Sequence, residues 1–123
     1  MALNKKELAE IKEELRRCSP ETLKAALRFR EKGDKTAIPT VVYGLLERYQ
    51  PAPVKLPLKE ANNDTRLIED LGLDSLALLE VVFAIEGVLK LHINNEELKE
   101  IRTLGKLNQF LRDKIAKVSP AAP

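Results

Sequence analysis

The chain has 123 residues, with 21 basic and 19 acidic side chains, 44% hydrophobic and 4% aromatic content, one cysteine, one histidine and no tryptophan. That length suits one domain with room for an appendage, and the apolar-to-charged balance excludes a disordered chain. The single Cys18 excludes an internal disulfide and cannot alone make a metal site.

The N-terminus, Met-Ala-Leu-Asn-Lys-Lys-Glu, lacks the apolar run of a signal peptide. Nowhere do enough consecutive apolar residues occur to span a bilayer. A cytoplasmic protein that is not integral to a membrane is expected. Abundant Leu, Lys and Glu point to an all-α fold.

Leu3, Leu8, Ile11 and Leu15 fall at helical spacing, with Asn4 placed to cap and Glu7 three residues on. Ser19-Pro20-Glu21 starts a second helix carrying Leu23, Ala26 and Leu27, which stops near Gly33. These two form a hairpin that cannot bury its apolar stripes alone. A third helix begins near Thr36 or Pro39, carries Val41, Val42, Leu45, Leu46 and Tyr49, and ends before Pro51. Pro51, Pro53 and Pro57 then enforce an extended loop to about residue 63, where Asn62, Asn63 and Asp64 supply turn chemistry. After a short segment from Thr65 to Leu71, broken by Gly72, a strongly apolar helix runs from Asp74 or Ser75 to about Leu89. Asn94-Asn95-Glu96 opens a short helix around Leu98 and Ile101. Thr103 caps a last one containing Leu104, Leu107, Phe110, Leu111 and Ile115. The tail, 117–123, is expected to be disordered.

Charge is unevenly spread. Residues 60–101 hold ten acidic against three basic side chains, between basic flanks. Solvated helix faces are the plain explanation. The acidic centre, with so few aromatics to stack on bases, argues against nucleic acid as a partner.

The stretch Asp70-Leu71-Gly72-Leu73-Asp74-Ser75-Leu76 resembles the prosthetic-group attachment signature of acyl carrier proteins. The likeness extends through HINNEELKEIRTLGKLNQFL and covers roughly 36–116. It implies an acyl-carrier-like four-helix bundle at 36–116, preceded by the N-terminal helical hairpin at 1–35. It implies 4'-phosphopantetheine, taken from coenzyme A, on Ser75, with Asp74 and Leu76 in the sequence that a phosphopantetheinyl transferase reads. Acyl intermediates would then travel as thioesters to acyl-transfer and chain-elongation enzymes of fatty-acid, polyketide or related lipid biosynthesis. A monomer is expected.

Beside the resemblance stands a physical case. Ser75 sits where a glycine-containing loop turns into a helix, and the first N–H groups and the dipole of a helix favour an anion. Without the surrounding pattern Ser75 reads as an ordinary capping serine. Ser75 is not a catalytic nucleophile: His92 is the only histidine and lies a helix length away, so no catalytic residue and no metal is expected. The thiol that bears cargo belongs to the cofactor and not to Cys18.

Leu78, Val81, Val82, Ile85 and Leu89 form one core stripe. Leu76, Leu79 and Phe83, set among Glu80 and Glu86, form the expected partner-docking face unless the hairpin buries them. By resemblance Val81, Ile85, Leu89, Ile93, Ile101 and Leu107 match positions lining an acyl cavity, and any such bundle also needs them for its core.

Three features depart from the family: the added hairpin, a less acidic recognition helix, and a proline-rich loop together with basic opening and closing segments that carry Arg48, Lys55, Arg112, Lys114 and Lys117. They suggest a dedicated partner. The hairpin is either an extra packed layer or a separate docking element. A peptidyl or aminoacyl carrier and an unmodified helical adaptor remain the rival functions; with no triad, metal cluster or phosphate loop, an enzyme is the weakest.

Overall fold

The computed structural model describes residues 3–51 and 56–118. Its helices are α1 (Lys5–Glu14), α2 (Pro20–Lys32), α3 (Ile38–Tyr49), α4 (Ser75–Leu89), α5 (Asn95–Leu98) and α6 (Leu104–Val118). Among the described residues no strand forms; a single antiparallel bridge joins Arg66 to Thr103. Pro53, Lys55, the Lys117 side chain and residues 119–123 lie outside the description, and with them most of the expected tail. Helix α6 itself continues to Val118, past the expected boundary at 116.

Side-chain oxygens set the helix starts. Asn4 Oδ1 accepts from Glu7 N at 2.7 Å, Ser19 Oγ from Thr22 N at 3.3 Å, Asp74 Oδ1 from Ala77 N at 2.7 Å and Thr103 Oγ1 from Lys106 N at 3.2 Å. A full capping box opens α5, where Asn94 and Glu97 exchange bonds. This helix stops at Leu98, so Ile101 lies beyond it, buried in the following turn.

The hairpin is a packed layer. Ile11, Leu15, Ala25, Ala26 and Phe29 join the same core as α3 and α4, and α2 lies along α3 so closely that Gly44 is needed. A Cβ there would come within 2.6 Å of Thr22 Cγ2 and 2.8 Å of Thr22 Cβ. Arg30, 8% exposed, ties the layers together: one guanidinium nitrogen donates to Glu7 at 2.6 Å, the other to the Val88 carbonyl in the last turn of α4 at 3.1 Å. Glu7 therefore serves this ion pair, not the reciprocal cap that its spacing from Asn4 suggests.

Contact with α1 and α2 changes what α4 buries. Val81, Val82, Ile85 and Leu89 are buried as the stripe requires, but so are Ala77, Ala84 and Val88, while Leu78 is only half-buried. A single stripe assumes one apolar neighbour, whereas α4 has the bundle on one flank and the hairpin on the other.

At the far end Lys114 donates to both carboxylate oxygens of Glu97 at 2.7 Å. These bonds, with the Asn94 N–H, hold Glu97 below its ordinary 4.5. A folded-state pKa below the unfolded one stabilises at neutral pH and stops doing so as pH falls through the folded value. The Glu97→Gln protein should melt below wild type at pH 7, and the gap should close as pH falls below about 4.5; melting curves against pH check this.

Candidate attachment site and adjoining cleft

The chain enters α4 through a wound turn. Asp70 N and Leu71 N donate to the Arg66 carbonyl at 3.1 Å, and Gly72 N to the Ile68 carbonyl at 3.0 Å. Gly72 has φ +79°, a left-handed conformation that disfavours side chains. Asp70 clasps the turn, accepting from Arg66 N at 2.8 Å and from its guanidinium at 3.1 Å. Gln50, at the end of α3, donates to the Leu71 carbonyl at 3.0 Å and to the Leu56 carbonyl at 2.9 Å. The loop before Ser75 is thus held from both sides.

Ser75 is the first residue of α4 and is exposed. Asp74 spends its carboxylate on Ala77 N, and its carbonyl accepts from Leu78 N at 3.0 Å. The N–H groups of Ser75 and Leu76 have no partner among the described residues. An oxygen-linked phosphodiester fits this place: the hydroxyl opens to solvent, and free N–H groups and the dipole of a fifteen-residue helix meet its charge.

Among the described residues nothing activates Ser75 as a nucleophile. His92 lies past the other end of α4, about 20 Å along the axis, where its Nδ1 is 3.2 Å from Glu86 Oε2. Cys18 is half-buried, its Sγ 3.7 Å from the Gly44 carbonyl, and burial pushes its thiol pKa up. That is the opposite of a reactive thiol.

Leu76 (67% exposed), Phe83 (63%) and Leu79 (37%) stay open to solvent, with exposed Glu80 among them, and the hairpin leaves them uncovered. Glu86, expected on the same face, is only partly exposed. Its carboxylate turns to the loop after α4 and accepts from Ile93 N at 2.8 Å.

The six residues matched to an acyl cavity are all buried. Only Ile101 among them lines the cleft of about 550 Å³ beside α4; the floor is otherwise Leu67, Ile68, Leu78 and Leu98. Val81, Ile85, Leu89, Ile93 and Leu107 belong to the packed core. Leu78, expected in the core stripe, lines the cleft and lies one turn beyond Ser75 on the same side of α4; Ser75 itself is not part of the lining. The cleft's rim of Arg66, Lys99, Arg102 and Lys106 is not legible in the sequence. Its one visible signal was the basic flank that begins at Arg102.

A helical bundle that presents an exposed hydroxyl on the first residue of a long helix, near an apolar-floored cleft and a helix length from the single histidine, has the architecture of a carrier domain. Residues 54–111 match the family described as "Phosphopantetheine attachment site". An acyl carrier protein of Buchnera aphidicola is 37% identical over 62 residues, 49% of this chain and 78% of that relative. The chain belongs to the acyl carrier protein family, whose prosthetic group is 4'-phosphopantetheine and whose members are carriers, not catalysts. It is also similar to an acyl carrier protein of Saccharopolyspora erythraea, 27% identical over 81 residues, 66% of this chain and 85% of that relative. An anthracycline acyl carrier protein of a Streptomyces species is 46% identical over 55 residues, 45% of this chain and 66% of that relative. No solved structure matches the chain. Among the described residues no helix is long and apolar enough to cross a membrane.

Proposed function

We propose that Ser75 bears the 4'-phosphopantetheine arm, and that residues 36–116 carry acyl intermediates as thioesters to fatty-acid, polyketide or related lipid-synthesising enzymes. The observation that carries this reading is the exposed Ser75 hydroxyl beside two unpartnered N–H groups at the start of α4. A transferase would form the Ser75 Oγ–phosphorus bond as the pyrophosphate link of coenzyme A breaks, with adenosine 3',5'-bisphosphate as the leaving group. The transferase must also take the serine proton, since among the described residues no base stands beside it. When bound, the group supplies a thiol at the end of a long arm. Asp74 holds the helix start in place, and the Ser75 and Leu76 N–H groups orient the phosphodiester.

Leu76, Leu79, Glu80 and Phe83 form the docking face in this reading, with apolar atoms supplying burial and Glu80 fixing register. Glu86 serves as a positioning residue for the loop after α4. The cleft floored by Leu67, Ile68, Leu78, Leu98 and Ile101 takes the acyl chain. The similarity to an anthracycline carrier supports polyketide-type cargo among the candidates.

Incubation with coenzyme A and a broad-specificity transferase tests the attachment. Wild type should gain one arm by intact mass, Ser75→Ala none, with both melting alike. If Phe83 anchors the partner, Phe83→Ala should lower kcat/KM for the transfer by about tenfold without lowering the melting temperature, since truncating a central aromatic anchor costs on the order of 1–2 kcal/mol. Unchanged kinetics would remove Phe83 from the docking face.

A further inference from the structure

We infer that the cleft beside Ser75 prefers acyl chains ending in a carboxylate, half-thioesters of dicarboxylic acids, over plain fatty acyl chains, with Arg102 and Lys106 receiving the anionic end. The inference rests on the reading above, that Ser75 bears the arm and that cargo folds into this cleft.

The lining divides by chemistry. Leu67, Ile68, Leu78, Leu98 and Ile101 make an apolar floor, half-buried Leu78 standing one turn from the attachment serine. Four cations, Arg66, Lys99, Arg102 and Lys106, stand around it against one acid, Glu69.

Two of the cations are engaged already. Arg66 is paired with Asp70 at 3.1 Å and Lys99 with Glu96 at 3.5 Å. Arg102 and Lys106 have no side-chain partner among the described residues, and both are exposed. Like charges beside an apolar surface repel one another and raise the local concentration of anions. An alkyl chain satisfies the floor and leaves these cations as they were. A chain of the same length with a terminal carboxylate satisfies both, and Arg102 offers a fork of donors matched to that group.

The test uses the full chain, loaded by a transferase from coenzyme A, hexanoyl-coenzyme A or adipoyl-coenzyme A, and compares melting temperatures. All three loaded forms carry the same phosphodiester, so any contact it makes with the cations cancels. The adipoyl form should melt about 3 °C above the hexanoyl form, the scale of one or two exposed ion pairs in a domain of this size. High salt should shrink that gap, and R102Q/K106Q should abolish it. Lys106→Gln alone, an exposed change in the first turn of α6, should reduce it and serves if the double variant folds poorly. Equal melting of adipoyl and hexanoyl forms, both above the unacylated form, would overturn the preference while leaving the cleft as cargo site. Failure of both to rise above the unacylated form would overturn the inference together with cleft occupancy. A gap that survives in R102Q/K106Q would also overturn it.

Discussion

A chain shortened to residues 35–123 should melt at least 10 °C below the full-length protein. Deletion removes Ile11, Leu15, Ala25, Ala26 and Phe29 from the core and uncovers apolar surface on α3 and α4. Each large side chain among these contributes about 1.5–3 kcal/mol by burial, opposed by the entropy of ordering the hairpin. A net loss of about 3 kcal/mol corresponds to about 12 °C in a domain of this size. The Arg30 bridge to the Val88 carbonyl goes with it, leaving the last turn of α4 less restrained. Unchanged melting would mean that the hairpin is an appendage and not a layer of the fold.

Gly44→Ala should destabilise the protein by about 3 kcal/mol, at the upper end of the cost of overpacking. The added methyl would overlap a threonine that is β-branched, 1% exposed, and bonded through its hydroxyl to Ser19 Oγ at 3.0 Å. Such a side chain has few rotamers in which to yield, so α2 must move away from α3. Thr22→Ala in the same chain should recover part of the loss, giving a non-additive double-mutant cycle by denaturant unfolding. Additive losses would show that the two helices do not meet through this pair.

Much of this fold was legible because its signals are local. Asn4, Ser19, Asp74, Asn94 and Thr103 announce helix starts through bonds that reach only three residues along the chain. Leu76, Leu79 and Phe83 lie on one arc of α4, opposite the core stripe, which the spacing alone reveals. What escaped the sequence depends on distant partners. Arg30 meets the Val88 carbonyl 58 residues away, and only that packing explains why Ala84 and Val88 are buried beyond the single stripe. Glu86 read as an exposed acid because its bond to Ile93 N depends on how the loop after α4 folds back. The cleft was hidden for the same reason: Leu78, Leu98 and Lys106 come from three helices, and no spacing in the chain sets their separation. Gly44 looks like a weak spot in a helix until Thr22 is seen against it.

The central claim is that the arm hangs from a single oxygen, and fragmentation mass spectrometry of the loaded full-length protein tests it most directly. One phosphopantetheinyl group is expected, carried on Ser75 in the peptide that includes Asp74 and Leu76. An adduct found on another hydroxyl, or a chain that stays unmodified under conditions that load a control carrier, would contradict it.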